Sequence, residues 1–220
     1  MNRRSRMAQE RLARKDLILA SAEKLFVEKG FAGTSINDIA AEADFSRTSI
    51  YQYFSSKEEI YLHILERYTE PLTDRLKKAT EDAPTVPEKI RAFLDELRKM
   101  KSEKSNFFEL YFIQRHQVEP RLPDELRTQL NAKRRRLENV FREFYREGVE
   151  KGEVRAMRFK DASNLFFAQI MGMMLLHEYY GNEFDVSLDE HLDMSLQLYL
   201  EFVGKVDGQQ ERLRAGAGLG

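Results

Sequence analysis

The chain has 220 residues, of which 42% are hydrophobic and 33% charged, with a formal net charge of -1. That near balance excludes a whole-surface polyanion binder, so any nucleic-acid site must be a local patch. Cysteine is absent, which rules out disulfides and thiolate metal sites, and no apolar run approaches the roughly 18 residues of a membrane span.

In chain order, the basic start Met1-Asn2-Arg3-Arg4-Ser5-Arg6 leads into no apolar segment, so a secretory signal is not expected and a cytoplasmic protein is. From Ala8 to Lys29 good helix formers carry Ile18, Ala22, Leu25 and Phe26 on one stripe. Gly30 is expected to end this helix in the left-handed region. Ser35-Ile36-Asn37-Asp38 reads as a capping box opening a short helix with Ile36, Ile39, Ala40 and Ala43 inward. A break at Asp44-Phe45 comes next, and Ser46 caps a third short helix reaching Tyr51 or Gln52.

Ser56-Lys57-Glu58-Glu59 reads as a second capping box, opening a long helix with Ile60, Ile64, Tyr68, Leu72 and Leu76 in register. Pro71 lies inside that register and is expected to kink the helix or end it near Tyr68. A linker over 81–87 holds Pro84 and Pro87. Further periodic stretches cover 87–101, 105–117, 123–151, 160–180 and 187–206. The tail over 207–220, polar and then Gly/Ala-rich from Ala215, is expected to be disordered.

Three short amphipathic helices with a tight turn between the second and third form a helix-turn-helix pattern. Ala40 is small where helices approach, Asp44 tolerates a left-handed turn, and Ile50 points inward. The other face of the third helix offers Arg47, Thr48, Ser49 and Gln52 for base edges or phosphates, flanked by Tyr51, Tyr53 and Lys57. Arg3, Arg4, Arg6, Arg11, Arg14 and Lys15 stand against Glu10 alone before Asp16, a basic arm suited to phosphates or a minor groove.

The series Ile18-Leu19-Ala20-Ser21-Ala22, Leu25-Phe26, Gly30-Phe31, Thr34-Ser35, Ile39-Ala40, Ala43-Asp44-Phe45-Ser46, Ile50-Tyr51-Gln52-Tyr53-Phe54 and Ser56-Lys57-Glu58 resembles the TetR-family DNA-binding domain, over about a quarter of the chain. The resemblance implies DNA contacts at Ser35, Asn37, Arg47, Thr48, Ser49, Tyr51, Gln52, Tyr53 and Lys57. Two positions depart from the family pattern: Asp44 where Gly is common at the turn, and Thr48 where Gly or Pro is common early in the recognition helix.

Beyond residue 87 no phosphate-binding Gly loop, HExxH or nucleophile elbow occurs. Aromatic and Met residues are dense instead: Phe107, Phe108, Tyr111 and Phe112, then Phe141, Phe144 and Tyr145, then Phe166, Phe167, Met171, Met173 and Met174. Such stripes suit plain core, and equally an adaptable pocket. The resemblance favours the pocket, an apolar or amphipathic effector site lined by Phe108, Tyr111, Phe112, Phe144, Phe167, Met171, Met174 and His177. It also implies dimerisation through the last two helices, where Ala168 and Gly172 leave a flat side and Leu188, Leu192, Leu196, Tyr199 and Phe202 make a stripe.

The expectation is an all-α protein of about nine helices. It has a helix-turn-helix domain over 1–57 with a basic arm, and a helical effector-binding and dimerisation domain over 58–206. Its expected partners are double-stranded operator DNA, a small effector and a second copy, with no metal, cofactor or membrane. The competing class is a helical carrier of hydrophobic molecules, or an enzyme, with the N-terminal helices as scaffold only. It would show no salt-dependent duplex binding.

Overall fold

The computed structural model describes residues 3–103 and 105–204, setting aside the side chains of residues 3, 4, 105, 112 and 182. The tail over 207–220 lies outside the described residues, as does the side chain of Phe112. The described chain is helical, with a single isolated bridge between Val154 and Gly204. Its helices are α1 (Arg3–Gly33), α2 (Ile36–Glu42), α3 (Arg47–Tyr51), α4 (Lys57–Glu81), α5 (Val86–Glu103), α6 (Ser105–Phe108), α7 (Arg115–Val118), α8 (Asp124–Lys151), α9 (Phe159–Tyr180) and α10 (Leu188–Val203). Helix α6 passes into α7 through a π-helical turn, Glu109–Gln114, so the two count as one element and the expected nine helices result.

Two compact units divide the chain. The described parts of Met1–Asp74 and Leu97–Arg136 form one, and those of Arg75–Glu96 and Leu137–Gly220 form the other. Helices α4, α5 and α8 each contribute to both.

The first unit packs around Phe26, Phe31 and Tyr61, whose rings lie 5.3–5.8 Å apart. Ile18, Ile39, Ile50, Phe54 and Ile60 close the same core. Helix α4 runs through Pro71 without ending at Tyr68. Proline removes the N–H that would reach the Arg67 carbonyl, but Pro71 is exposed, so water can serve that group. Thr69 and Thr73 donate their hydroxyls to the carbonyls of Leu65 and Thr69 on either side of it.

The second unit is built on aromatic packing. Phe93, Phe141 and Phe166 are fully buried with centroids 5.1–5.8 Å apart, in the tilted and edge-to-face geometries that ring quadrupoles favour. Tyr199 of α10 joins Phe166 at 5.2 Å and donates its hydroxyl to the Ala162 carbonyl. On α10 the expected stripe turns inward at Leu192, Leu196 and Tyr199, whereas Phe202 lies outside with Met194 and Leu198. Those three sit four residues apart on one face. On α9, Ala168, Leu176 and Tyr179 are likewise exposed, and a Cβ at Gly172 would meet nothing within 4 Å.

Gly148 marks the tightest approach in this unit. A Cβ there would stand 2.2 Å from Val86 Cγ2 and 3.2 Å from Val154 Cγ2. Both neighbours are short branched side chains that cannot swing away. Gly148→Ala is therefore expected to destabilise the chain by about 1–3 kcal/mol, seen as a lowered urea midpoint with an unchanged slope.

Candidate nucleic-acid interface

The geometry of the N-terminal helices begins at a break. Gly30 takes φ 72° and ψ 162° inside α1, in the left-handed range of φ that only glycine enters cheaply. The Lys57 ammonium donates to the carbonyls of Phe31 and Thr34, each at 2.6 Å, and lies 4.2 Å from the Phe31 ring centroid. Burial pushes its pKa below the usual lysine value. Thr34 donates its hydroxyl to the Leu25 and Gly30 carbonyls. The chain thus leaves α1 in a fixed direction and enters α2.

Ser35 and Asp38 make a reciprocal capping box at the start of α2. The turn into α3 is a Schellman arrangement: Phe45 N–H reaches the Ala40 carbonyl at 2.8 Å, and Asp44 N–H reaches Ala41 at 3.3 Å. Asp44 stands at φ 58°, the left-handed position expected for it. Ser46 then caps α3 by accepting the Ser49 N–H. At α4 the second box is only half formed. Ser56 Oγ accepts the Glu59 N–H, but the Glu59 carboxylate reaches back to the N–H and hydroxyl of Ser55 instead.

The nine candidate DNA residues do not share one environment. Arg47, Thr48, Tyr51 and Gln52 are exposed on and just beyond α3, opposite the wholly buried Ile50. Arg47 lies over the Tyr51 ring at 5.7 Å, and Tyr51 keeps 46% of its surface open. Ser35 and Asn37 are exposed on the start of α2, with the Ser35 hydroxyl engaged by Asp38. Ser49 is half-buried with its hydroxyl 2.8 Å from Ser46 Oγ. Tyr53 is half-buried between Phe45 and Arg11. Lys57 is held inward by the two carbonyls, away from the exposed α3 face.

The basic leader is helical from Arg3 onward. Arg11 donates to the Gln52 carbonyl at 3.3 Å and covers the Tyr53 ring, and Lys15 lies over Phe54 at 5.2 Å. These two cations therefore stand beside α3, a placement that linear spacing does not reveal. Behind α3, His63 packs on Phe54 and bonds Glu66 at 2.7 Å, and Lys133 reaches Glu66 at 2.8 Å and Glu70 at 3.3 Å. Sequence reading missed this ion network, since Lys133 is 67 residues from Glu66 and lies in a run that reads as a solvated face.

The candidate effector residues divide between the two units. Phe108 and Tyr111 are buried in the first. In the second, Phe144 and Phe167 pack beside Phe93 at 6.3 and 5.9 Å, Met174 is buried and Met171 half-buried. His177 stands apart from this cluster, its Nε2 2.7 Å from His191 Nδ1 and its ring against Phe184. A cleft of about 490 Å³ in the second unit is lined by Phe144 and Val140 with Lys77, Lys89, Glu143 and Arg146 among its polar residues. Phe144 thus belongs both to the cleft and to the aromatic cluster, where it lies 4.8 Å from Phe141. The sequence reading names Phe144 as a candidate but not the charged rim, whose residues come from three separate helices.

An exposed polar face on the second helix of a helix-turn-helix defines a class, the DNA-reading regulators. Comparison with known proteins narrows it. Residues 18–64 match the family described as bacterial regulatory proteins of the tetR family, and residues 83–175 match the tetracyclin repressor-like C-terminal domain. The chain belongs to the TetR family of bacterial regulatory proteins. It is similar to the HTH-type transcriptional activator FasR of Mycolicibacterium smegmatis, 27% identical over 119 residues, which cover 54% of each protein. It spans about half the length, or less, of the curated relatives it matches. Among solved structures it resembles the TetR family transcriptional regulator PfmR of Thermus thermophilus, at TM-score 0.67 and 27% identity, covering 84% of this chain and 97% of that one. The FadR regulator of Bacillus subtilis, crystallised with stearoyl-CoA, shares the fold at TM-score 0.72 and 19% identity, covering 85% and 98%.

The Glu66 network makes a testable statement about pH. Burial alone would raise the Glu66 pKa, but the His63 hydrogen bond and the Lys133 contact outweigh it and bring it to about 2, from the usual 4.5. A carboxylate whose pKa is depressed on folding stabilises the native state fully above its unfolded value, and this contribution disappears as pH falls through the folded value. Wild-type stability in urea is thus expected to fall between pH 4.5 and about 2, and Glu66→Gln should make that fall shallower. Identical slopes for the two proteins would count against the network.

Proposed function

We propose that this chain is a dimeric, effector-responsive transcriptional repressor that acts by binding rather than by catalysis. Residues 1–57 read operator DNA, and residues 58–206 bind the effector and carry the dimer contact. The observation that supports this most is the exposed row Arg47, Thr48, Tyr51 and Gln52 on a short helix whose opposite side is anchored by Ile50. Side chains so placed meet base edges and phosphates when α3 enters a major groove. Ser35, Asn37, Ser49, Tyr53 and Lys57 complete the contact set in this reading, with Ser35 and Asn37 at phosphates flanking the groove. Arg11 and Lys15 add positive charge beside it. Lys57 would have to exchange one of its two carbonyl partners for a phosphate, or act by holding the helices in place.

A second copy is proposed to cover the open faces of α9 and α10. Met194, Leu198 and Phe202 on one helix, with Leu176 and Tyr179 on the other, expose apolar area that water does not favour. Two readers related by a twofold axis fit a palindromic operator. The effector is proposed to be apolar or amphipathic and to enter the second unit at Phe144, where the cleft meets the aromatic cluster. Phe167, Met171 and Met174 are placed in that same reading. Phe108, Tyr111, Phe112 and His177 remain candidates by the family resemblance. An effector that prefers one arrangement of the reading heads weakens or strengthens operator binding by its differential affinity. Acting on operator DNA places the protein in the cytoplasm; among the described residues no helix is long and apolar enough to cross a membrane.

Selection from a random duplex library, then fluorescence anisotropy on the recovered sequence, checks the reading. An inverted repeat is expected, with log affinity falling steeply against log salt. Arg47→Ala should weaken binding about five- to 150-fold, the 1–3 kcal/mol of a lost base or phosphate contact, while Arg91→Ala on α5 leaves it unchanged. Stearoyl-CoA is the first probe for release. Equal binding by wild type and Arg47→Ala would remove α3 as the reader.

A further inference from the structure

The π-helical turn Glu109–Gln114 is an unusual element, because π geometry is rare and recurs where a helix has been forced to carry an extra residue. Its last residue, Gln114, is buried, and its side-chain amide is used in three directions. Nε2 donates to the Phe26 carbonyl at 2.8 Å and to Glu109 Oε1 at 3.0 Å, and Oε1 accepts the Phe31 N–H at 3.2 Å. Both amide hydrogens and the oxygen are therefore engaged, and turning the amide over would set its NH2 group against the Phe31 N–H.

Two of these bonds land on either side of Gly30. A helix broken at that residue leaves backbone groups around the break without their ordinary partners, and buried ones must be satisfied elsewhere. Gln114 does this for one donor and one acceptor at once. The third bond depends on the π turn itself. Residues five apart stack in π geometry, whereas in an α-helix they stand about 140° apart around the axis, out of reach of such a contact. The Tyr61 hydroxyl, from α4, donates to the Leu110 carbonyl inside the same turn. So the π turn is held by α1 and α4, and the break in α1 is held by the π turn.

We propose that Gln114 is a positioning residue for DNA reading. It latches the Gly30 break and so sets the direction in which α2 and α3 leave α1, and rewinding of Glu109–Gln114 to α geometry unlatches it. Removing the extra residue from a π turn rotates the helix beyond it by about 100°, which carries the Gln114 amide away from both Phe26 and Phe31. The turn is thereby a two-state element through which a change in the helices after residue 105 reaches the reading head. This inference rests on the reading of α3 as the DNA reader, and the experiment separates the two.

The test uses the full chain with Gln114→Leu and Gln114→Glu, two readouts, and the selected duplex. Hydrogen exchange at the Phe31 amide is expected to speed up at least ten-fold in Gln114→Leu, with Ile50 and Phe141 amides unchanged. Duplex affinity should fall at least five-fold. In Gln114→Glu the carboxylate faces the Phe26 carbonyl and Glu109, so affinity relative to wild type should be low at pH 8. It should recover at pH 5.5, when a protonated carboxyl donates again. A merely structural role would lower stability without that recovery, and Gln114→Glu carries the test should the Leu variant not fold. Unchanged Phe31 exchange, or a wild-type-like affinity in both variants while Arg47→Ala fails to bind, overturns the latch. Failure of wild type to select any duplex instead removes the DNA reading, and Phe31 exchange still decides whether the latch exists.

Discussion

Everything in the N-terminal unit depends on the need to satisfy a helix that is broken at Gly30. Gly30 itself is half-buried, but Phe26 and Phe31 on either side of the break are buried, and an unmade buried hydrogen bond costs more than a formed one contributes. The protein meets that demand from three directions. Thr34 caps from just beyond the end of α1, Lys57 brings an ammonium from α4, and Gln114 brings an amide from the π turn. Because each donor or acceptor sits on a different element, satisfying the break also locks those elements to one another. The angle at which α2 leaves is a consequence of that lock, and with it the exposure of α3. Lys57, which simple proximity to α3 marks as a phosphate contact, is in this arrangement part of the lock.

The second unit solves a different problem. Its helices are held by a cluster of phenylalanines around Phe141, to which Phe93, Phe144, Phe166, Phe167 and Tyr199 contribute rings from four helices. Rings pack in several tilted and edge-on geometries of similar energy, so such a core can be dense and still open at a margin. Phe144 is that margin, facing the cluster on one side and the charged cleft on the other. Among the described residues the outward faces of α9 and α10 stay open, and the second copy proposed above would cover them.

Most of the helices were legible in the sequence, because each carries an apolar stripe and a cap or glycine at its ends. The predicted segments over 123–151 and 160–180 agree with α8 and α9 to within one residue. Asp44 at the turn and Ser35 at the start of α2 behave as their chemistry dictates. What was not legible depends on packing between distant segments. Pro71 sits in an unbroken helix because its side is exposed. The stripe on α10 divides between two faces, Leu192, Leu196 and Tyr199 inward and Phe202 outward, since period alone does not tell which of two adjacent apolar faces meets α9. The π turn leaves no mark in composition, and Gln114 looks like an ordinary surface glutamine until its partners across 83 and 88 residues are known. The ion network behind α3 has the same character.

The exposed face of α3, held by the lock at Gly30, is the surface proposed to meet DNA. The most direct measurement is a titration of isotopically labelled full-length protein with its selected duplex, read from amide and side-chain resonances. Arg47, Thr48, Tyr51 and Gln52 are expected to shift most, with Ser35 and Asn37 next and α9 and α10 silent. Perturbation centred on the second unit, with the α3 resonances unmoved, would contradict it.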